Sequence, residues 1–333
     1  MPAKSTITSS ELGTLWMTYQ QKTLTLHMLA YLIATAKDDD AKAIMENLYE
    51  KIKPYIHKIE TIFQNENAVV PIGFTEVDVN KSAPALYENG MDILWLRLMK
   101  EISMGMHTLH LSMSTRDDII LLYQELTALT QEVYASCTQY LLKKGFLATP
   151  PYVSMPNSVE FVKSKSYMSG FNLIGDKRSL NTVEIAHLYH SIGSNITGMQ
   201  LIISFAQTAK DPEIKKYFVK GKELAQSIIT AFSSFFIESN LPIPVSSGGS
   251  MTTSTEPPYS DKFMMYVVSL LCSFSLGSNA LGTAFSLRND ISAKVMISAK
   301  DVFEYAHEGA KLMVKNGWME EPPQAEDRNK LSK

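Results

Sequence analysis

Two pairs of histidines at helical spacing are the first candidates for chemistry in this sequence. His107 and His110 are three residues apart, and so are His187 and His190. On a helix this spacing puts both rings on one side, where they could supply two ligands to a divalent metal ion. Other helices would have to complete such a site. The alternative, which the sequence favours, is that these histidines are partly buried at the edge of a helical bundle.

Two further pairs combine a carboxylate with an imidazole at the same spacing, namely Glu304 with His307 and His57 with Glu60. Di-iron proteins built on four-helix bundles use Glu-x-x-His motifs that project inward. The helical phase argues against that role here, because His307 shares its face with Lys311 and His57 lies opposite the apolar stripe of its helix. We expect both pairs to face solvent.

The remaining reactive residue types form no catalytic pattern. Cys137 and Cys272 are far apart and occur in apolar stretches, so we expect buried thiols in a reducing compartment. The sequence has no glycine-rich phosphate loop, no G-x-S-x-G motif and no triad spacing. Its 31 basic and 34 acidic residues leave no cationic footprint for nucleic acid. We therefore expect no cofactor and no nucleic-acid partner, and we favour a protein without enzymatic activity.

An internal duplication organises the elements that carry these residues. A shift of 173 positions aligns residues 35–38 with residues 208–211, which read Thr-Ala-Lys-Asp in both places. A shift of 172 positions aligns Gly145 with Gly317 and the proline pairs that follow them. Self-similarity of this kind indicates two homologous units.

Each unit contains four segments in which apolar residues recur at intervals of three and four, which predicts four helices. Short turns join helices one and two and helices three and four, whereas a longer crossover joins helices two and three. This connectivity is typical of ferritin-like bundles. The predicted fold is all-α, with two tandem ferritin-like four-helix bundles whose interiors hold apolar and small side chains. The predicted boundaries are residues 1–151 for unit one, 152–183 for a connector, 184–323 for unit two and 324–333 for a polar tail.

Two stretches of unit two contain no charged residue over 25 positions, one between Glu184 and Lys210 and one between Lys262 and Arg288. Their length would allow a membrane span. However, Ser, Gly, Asn and Thr interrupt both stretches, and the matching third helix of unit one carries charges. We therefore predict bundle helices and no membrane span.

A string of small residues recurs within these two stretches. Its members are Gly193, Asn195 and Gly198 in the first stretch and Gly277, Asn279 and Gly282 in the second. Small residues at this spacing let two helices approach closely, and a buried asparagine can fix their register. Three interpretations remain open: close packing within the chain, an interface with another copy or a protein partner, and the border of a ligand pocket.

Several motifs resemble a known family. They are residues 70–76 in the first crossover, which read Val-Pro-Ile-Gly-Phe-Thr-Glu, residues 260–262 before helix three of unit two, and residues 315–318 and 321–324 at the end of the chain. Together they resemble an uncharacterised family of tandem ferritin-like proteins from spore-forming bacilli. More distantly, the bundle resembles the spore coat protein F family. The resemblance implies a duplicated bundle with a spore- or stress-associated structural role, and it implies no particular activity, substrate or cofactor.

The sequence thus favours a non-catalytic structural or protein-interaction protein. We expect it to assemble through the charge-poor helices of unit two, as a homo-oligomer or with a protein partner. The N-terminus has no apolar leader segment, which together with the few cysteines favours the cytoplasm. The alternative function is a metal- or small-molecule-binding bundle with His107, His110, His187 and His190 as ligands.

Overall fold

Two sets of four long helices make up most of the computed structural model, which describes residues 6–170, 177–244 and 248–332. Unit one contains α1 (Ser9–Thr35), α2 (Asp39–Asn65), α3 (Met91–Ser112) and α4 (Asp117–Lys143). Unit two contains α5 (Thr182–Thr208), α6 (Pro212–Glu238), α7 (Asp261–Phe285) and α8 (Asn289–Lys315), and a short α9 (Arg328–Leu331) follows. The remaining described elements are 3-10 turns at Glu76–Asp78 and Lys165–Met168 and the short strands β1 (Tyr87–Glu88) and β2 (Ser250–Met251).

The predicted all-α fold with two tandem four-helix bundles is confirmed. Short turns join the two helices of each hairpin, and crossovers at residues 66–90 and 239–260 link the hairpins within each unit. The described part of the predicted connector, residues 152–170 and 177–183, lies between α4 and α5 except for its last two residues, which begin α5. Residues 171–176 of this prediction lie outside the described residues. The unit boundaries themselves stay predictions.

A glutamate in the first turn of its first helix ties each unit together. Glu11 caps α1 and also accepts a hydrogen bond from the backbone N–H of Arg116, in the turn before α4, at 2.8 Å. Glu184 caps α5 and accepts from the backbone N–H of Arg288, before α8, at 3.2 Å. Burial alone would raise the pKa of Glu11, but backbone N–H donors lower it to about 2. The start of the first helix is thereby fixed to the turn between the last two.

The two crossovers lie antiparallel against each other. β1 pairs with β2, which places Tyr87 opposite Met251, and an isolated bridge joins Val79 to Tyr259. A shift of 172 positions aligns Val79 with Met251 and Tyr87 with Tyr259. The Tyr87–Met251 pair and the Val79–Tyr259 pair are therefore repeat equivalents of each other.

Two backbone hydrogen bonds between the crossovers are also related by the repeat. The N–H of Asn80 donates to the carbonyl oxygen of Pro258 at 2.8 Å, and the N–H of Thr252 donates to that of Leu86 at 2.9 Å. These two bonds also exchange under the shift of 172 positions. The junction between the units therefore has pseudo-twofold symmetry.

Aromatic side chains beneath the paired crossovers belong to a core that both units share. Tyr259 packs edge-on against Tyr31 and Trp95, with ring centroids 5.3 and 5.6 Å away. Its hydroxyl donates to the carbonyl oxygen of Met28 at 3.0 Å. Trp95 also contacts Phe205 of α5, at 5.9 Å between centroids. All five residues belong to one continuous cluster of buried side chains, so the two units form a single body.

Helix α7 is the one described helix whose length and hydropathy would suffice to cross a membrane. Its residues Phe263, Met264, Val267 and Val268 are buried in the protein. A helix that packs into a core needs the same apolar composition, so α7 by itself shows no clear membrane span.

Candidate functional site

The interior of unit one holds buried polar side chains from α1 and α3. Lys22 and Lys100 are each 1% exposed, and His107 and His110 are buried as well. We refer to these four residues as the buried polar cluster. The Nζ atom of Lys22 lies 2.7 Å from Nε2 of His107, and the hydroxyl oxygen of Thr18 lies 3.2 Å from Nδ1 of His110.

Burial controls the protonation of the two imidazoles. It lowers the pKa of His107 well below its usual value, and the positive charges of Lys22 and Lys100 lower this pKa further. Burial and the charge of Lys22 lower the pKa of His110 to about 4. Both histidines of the buried polar cluster are therefore neutral at neutral pH.

The two lysines have no carboxylate partner among the described residues. Burial lowers the pKa of Lys22 well below its usual value, and repulsion from Lys100 adds to the effect. Burial also lowers the pKa of Lys100 to about 8, against a small opposing effect of Cys137. A buried amine without a counter-ion is driven towards its neutral form, because the interior solvates charge poorly.

The buried polar cluster does not fit a divalent metal ion. Metal-binding bundles gather carboxylates and imidazoles inward, whereas here amines accompany the imidazoles and any charge on them repels a cation. Within residues 6–170, 177–244 and 248–332, no group of three or more His, Cys, Asp or Glu side chains could hold a metal ion. Burial raises the pKa of Cys137 and of Cys272 to about 12, so both thiols are protonated.

The structure contradicts two predictions about this region. His107 and His110 do not lie at the edge of the bundle, because α3 turns that face into the interior of unit one. That interior is also polar, and not made of apolar and small side chains alone. A signal was present in the sequence. Lys22 follows Tyr19 by three residues and precedes Leu26 by four, which places it on the buried stripe of α1.

Unit two replaces every member of the buried polar cluster by a smaller, uncharged residue. Asn195 corresponds to Lys22, Cys272 to Lys100, Asn279 to His107 and Gly282 to His110. A cavity of about 70 Å³ borders Ser191, Asn195 and Cys272 in this interior. Loss of side-chain volume without full repacking leaves such a space. The two homologous interiors have therefore diverged, and one is filled by polar groups while the other is partly empty.

The recurring small residues of unit two meet different surroundings. A Cβ atom added to Gly282 would lie 3.2 Å from Cβ of His187, so α5 and α7 approach closely there. A Cβ atom on Gly198 would meet its nearest neighbour at 3.9 Å, which is an ordinary contact. On Gly193 or Gly277 it would meet no atom within 4 Å. Close packing of the backbone thus accounts for one of the four glycines.

Both asparagines of the string bond to Ser191 of α5. The side-chain oxygen of Asn279 accepts from the Ser191 hydroxyl at 3.2 Å, which joins α7 to α5. The amide of Asn195 donates to the Ser191 carbonyl oxygen at 2.8 Å within α5. The assignment of the six small residues to an interface with another chain stays a prediction.

The second histidine pair lies on α5, away from the buried polar cluster. Nε2 of His190 lies 2.6 Å from Oε1 of Glu101 on α3, so the two units make an ion pair here when the imidazole is protonated. His187 stacks on Phe285, with ring centroids 6.3 Å apart. The sequence could not reveal Glu101 as the partner of His190, because α3 and α5 meet only through the packing of the two units.

The two carboxylate–imidazole pairs lie at the surface, as the helical phase predicts. His57, Glu304 and His307 are exposed. Glu60 is partly buried and accepts a hydrogen bond from the Tyr19 hydroxyl at 3.0 Å. The prediction that these pairs face solvent therefore holds for His57, Glu304 and His307, whereas Glu60 reaches back towards α1.

A cleft of about 380 Å³ opens between the two units beside the His190–Glu101 pair. We call it the junction cleft. Its lining comes from α3, α4, α5, the segment 147–150 and Pro244, and it includes Arg97. A second pocket, of about 390 Å³, shares Glu101 and His190 with the junction cleft and extends between α5 and α7.

One protein family matches both units of the chain. Its model matches residues 1–159 and again residues 168–331, and it is described as "Protein of unknown function (DUF3231)". The chain belongs to this family. The DUF3231 unit thus occurs twice, which agrees with the duplication inferred from the sequence shifts.

One solved structure shows a distant similarity to the DUF3231 chain. It is described as a "putative spore coat protein" from Bacillus halodurans, and its TM-score is 0.43 at 15% sequence identity. The match covers 45% of this chain and 98% of that chain. A similarity of this size carries no functional argument. None of the curated proteins matches the chain.

Lys100 predicts a dependence of stability on pH. Its pKa in the folded protein is about 8, below the ordinary value of 10.5. Between these two pH values the unfolded chain binds more protons than the folded protein, so the free energy of unfolding rises with pH. Below pH 8 the lysine is protonated in both states, and the folded protein bears the full cost of burying its charge. We expect Lys100→Met to be more stable than the wild type at pH 7. This difference should shrink by up to about 1.4 kcal/mol per pH unit as the pH rises through that window.

Urea unfolding of both proteins across the window measures the effect. Lys51→Met is the matched control, because Lys51 is an exposed lysine that pairs with Glu132, and its effect should not change over the same pH range. An advantage of Lys100→Met that stays constant with pH would show that the pKa of Lys100 is not lowered.

Proposed function

We propose that this protein is a non-catalytic structural or interaction protein. The observation that supports the proposal is the composition of the buried polar cluster. Two amines occupy an interior that metal-binding bundles of this connectivity line with carboxylates. The cluster is also closed to solvent, and the thiols of Cys137 and Cys272 are protonated and unreactive.

Metal analysis distinguishes this function from a metal-binding bundle with histidine ligands. We expect protein purified without a His-tag to contain less than about a tenth of an equivalent of iron, manganese or zinc, because neither histidine pair has a full ligand set. Stoichiometric metal that is lost in a His107→Ala, His110→Ala double variant would contradict the proposal. So would metal that is lost in a His187→Ala, His190→Ala double variant.

The assembly surface that we propose lies at the end of α7 and in α8, where one copy would face another. Leu281, Phe285 and Met296 are exposed there, and Phe285 is 62% exposed. The charge-poor stretch of α7 offers no charged side chain that would oppose burial of this surface. A twofold axis would bring the same apolar patch of two copies face to face.

Phe285→Lys tests this assembly surface. We expect the wild type to be a dimer by size-exclusion chromatography with light scattering, and the variant to be a monomer, because a buried unpaired charge opposes association. The matched control is Met113→Lys, since Met113 is the exposed repeat equivalent of Phe285 in unit one. The control should remain a dimer. A wild-type monomer, or a Phe285→Lys dimer, would overturn the proposed surface.

We also propose that the protein acts in the cytoplasm in association with the spore. The support is the resemblance of residues 70–76 and of the C-terminal motifs to proteins of spore-forming bacilli. In a sporulating host we expect a tagged copy to be enriched in purified spores relative to vegetative cells. Equal recovery from both fractions, or exclusion from spores, would count against this location.

A further inference from the structure

The junction cleft has the size and position of a small-molecule site. Its volume of about 380 Å³ falls within the range of about 300–1,000 Å³ that is typical of ligand pockets. It lies where two structural units meet, which is a common place for such sites. Leu94, Leu98, Leu142 and Ile196 give it a largely apolar lining.

Arg97 supplies a positive charge to this lining. Its Nε donates to the Thr138 hydroxyl at 3.0 Å, and a terminal nitrogen donates to the Tyr134 hydroxyl. The guanidinium carbon also lies 4.5 Å from the centre of the Tyr134 ring. All of these partners are neutral, so they hold the guanidinium in place without cancelling its charge.

No carboxylate of the described residues forms an ion pair with Arg97. Glu101, one turn further along α3, also lines the cleft, and its Oε1 lies 2.6 Å from Nε2 of His190. A partly buried cation without a counter-ion is costly unless an anion compensates it. The junction cleft therefore combines an apolar lining with one fixed cation that lacks an acidic partner in the part of the chain that the structure describes.

The opposite side of the junction cleft belongs to the part of α5 that follows Glu184 and contains no Asp, Glu, Lys or Arg. Gly193, Ser194, Thr197 and Gln200 line it there. A side chain built on Gly193 meets no atom within 4 Å, so free space lies in front of this residue. Small and uncharged residues at these positions keep the cleft open and add no charge of their own to it.

The geometry points to a binding site for an apolar monocarboxylate in the junction cleft. The hydrocarbon part lies among the leucines, and the carboxylate accepts hydrogen bonds from the guanidinium of Arg97. A guanidinium and a carboxylate form charge-assisted bonds that an alcohol of the same length cannot reproduce. This site is separate from the assembly surface around Phe285, so either proposal can fail alone.

Isothermal titration calorimetry of the full chain with decanoate and with decan-1-ol tests the site. We expect decanoate to bind at one site and at least about tenfold more tightly than decan-1-ol, because only decanoate pairs with Arg97. Arg97→Met should reduce the affinity for decanoate to that for decan-1-ol and leave the affinity for the alcohol unchanged.

Gly193→Leu gives a second test that does not depend on the behaviour of the arginine variant. The new side chain enters free space, so we expect the variant to fold. Because the leucine fills the cleft, the variant should bind neither ligand. Gly277→Leu is the matched control, because Gly277 also has open space but lies outside the cleft, and it should bind both ligands normally. Decanoate binding that survives Gly193→Leu would overturn the proposal. Equal affinities of the wild type for decanoate and decan-1-ol, or no binding of decanoate, would overturn it as well.

Discussion

The two crossovers pair along their edges, and the aromatic residues beneath them extend one core through both bundles. Tyr259 shows how strongly this contact constrains the molecule, because its ring packs on Tyr31 and Trp95 of unit one while its hydroxyl bonds to α1. These contacts fix α3 beside α5. The pairing of His190 with Glu101 and the cleft next to it exist only because of that placement.

The two units share the same helix arrangement but fill their interiors with different side chains. Unit one buries amines, which costs free energy because water solvates a charged amine better than the protein does. It also has a second buried cluster, around Trp16 and Phe63, that contributes apolar packing. Unit two has Asn195 and Cys272 in place of the two buried amines, but it keeps a cavity and so loses dispersion contacts. Each interior thus carries a different destabilising feature.

Periodicity within single helices explains what the sequence could predict. The number and order of the helices and the exposure of His307 follow from which side of each helix is apolar. The same periodicity could also predict the burial of His107, but only if Lys22 is treated as a core residue. Lysines usually extend to solvent, so this assignment is an unusual one. The contact between Glu101 and α5 could not be predicted from the sequence. It depends on how the two units pack together, and the apolar periodicity of a single helix contains no information about that packing.

The pseudo-twofold crossover junction has a consequence for a chain that contained a single unit. Val79 and Tyr87 of the first crossover each meet the repeat equivalent of the other in the second crossover. Such an interface is self-complementary, so two identical one-unit chains would join through the same bonds. In the present chain the two halves are joined covalently, which holds them at high effective concentration. Fusion removes the requirement that both halves be identical, and each half can then accumulate substitutions that the other does not share.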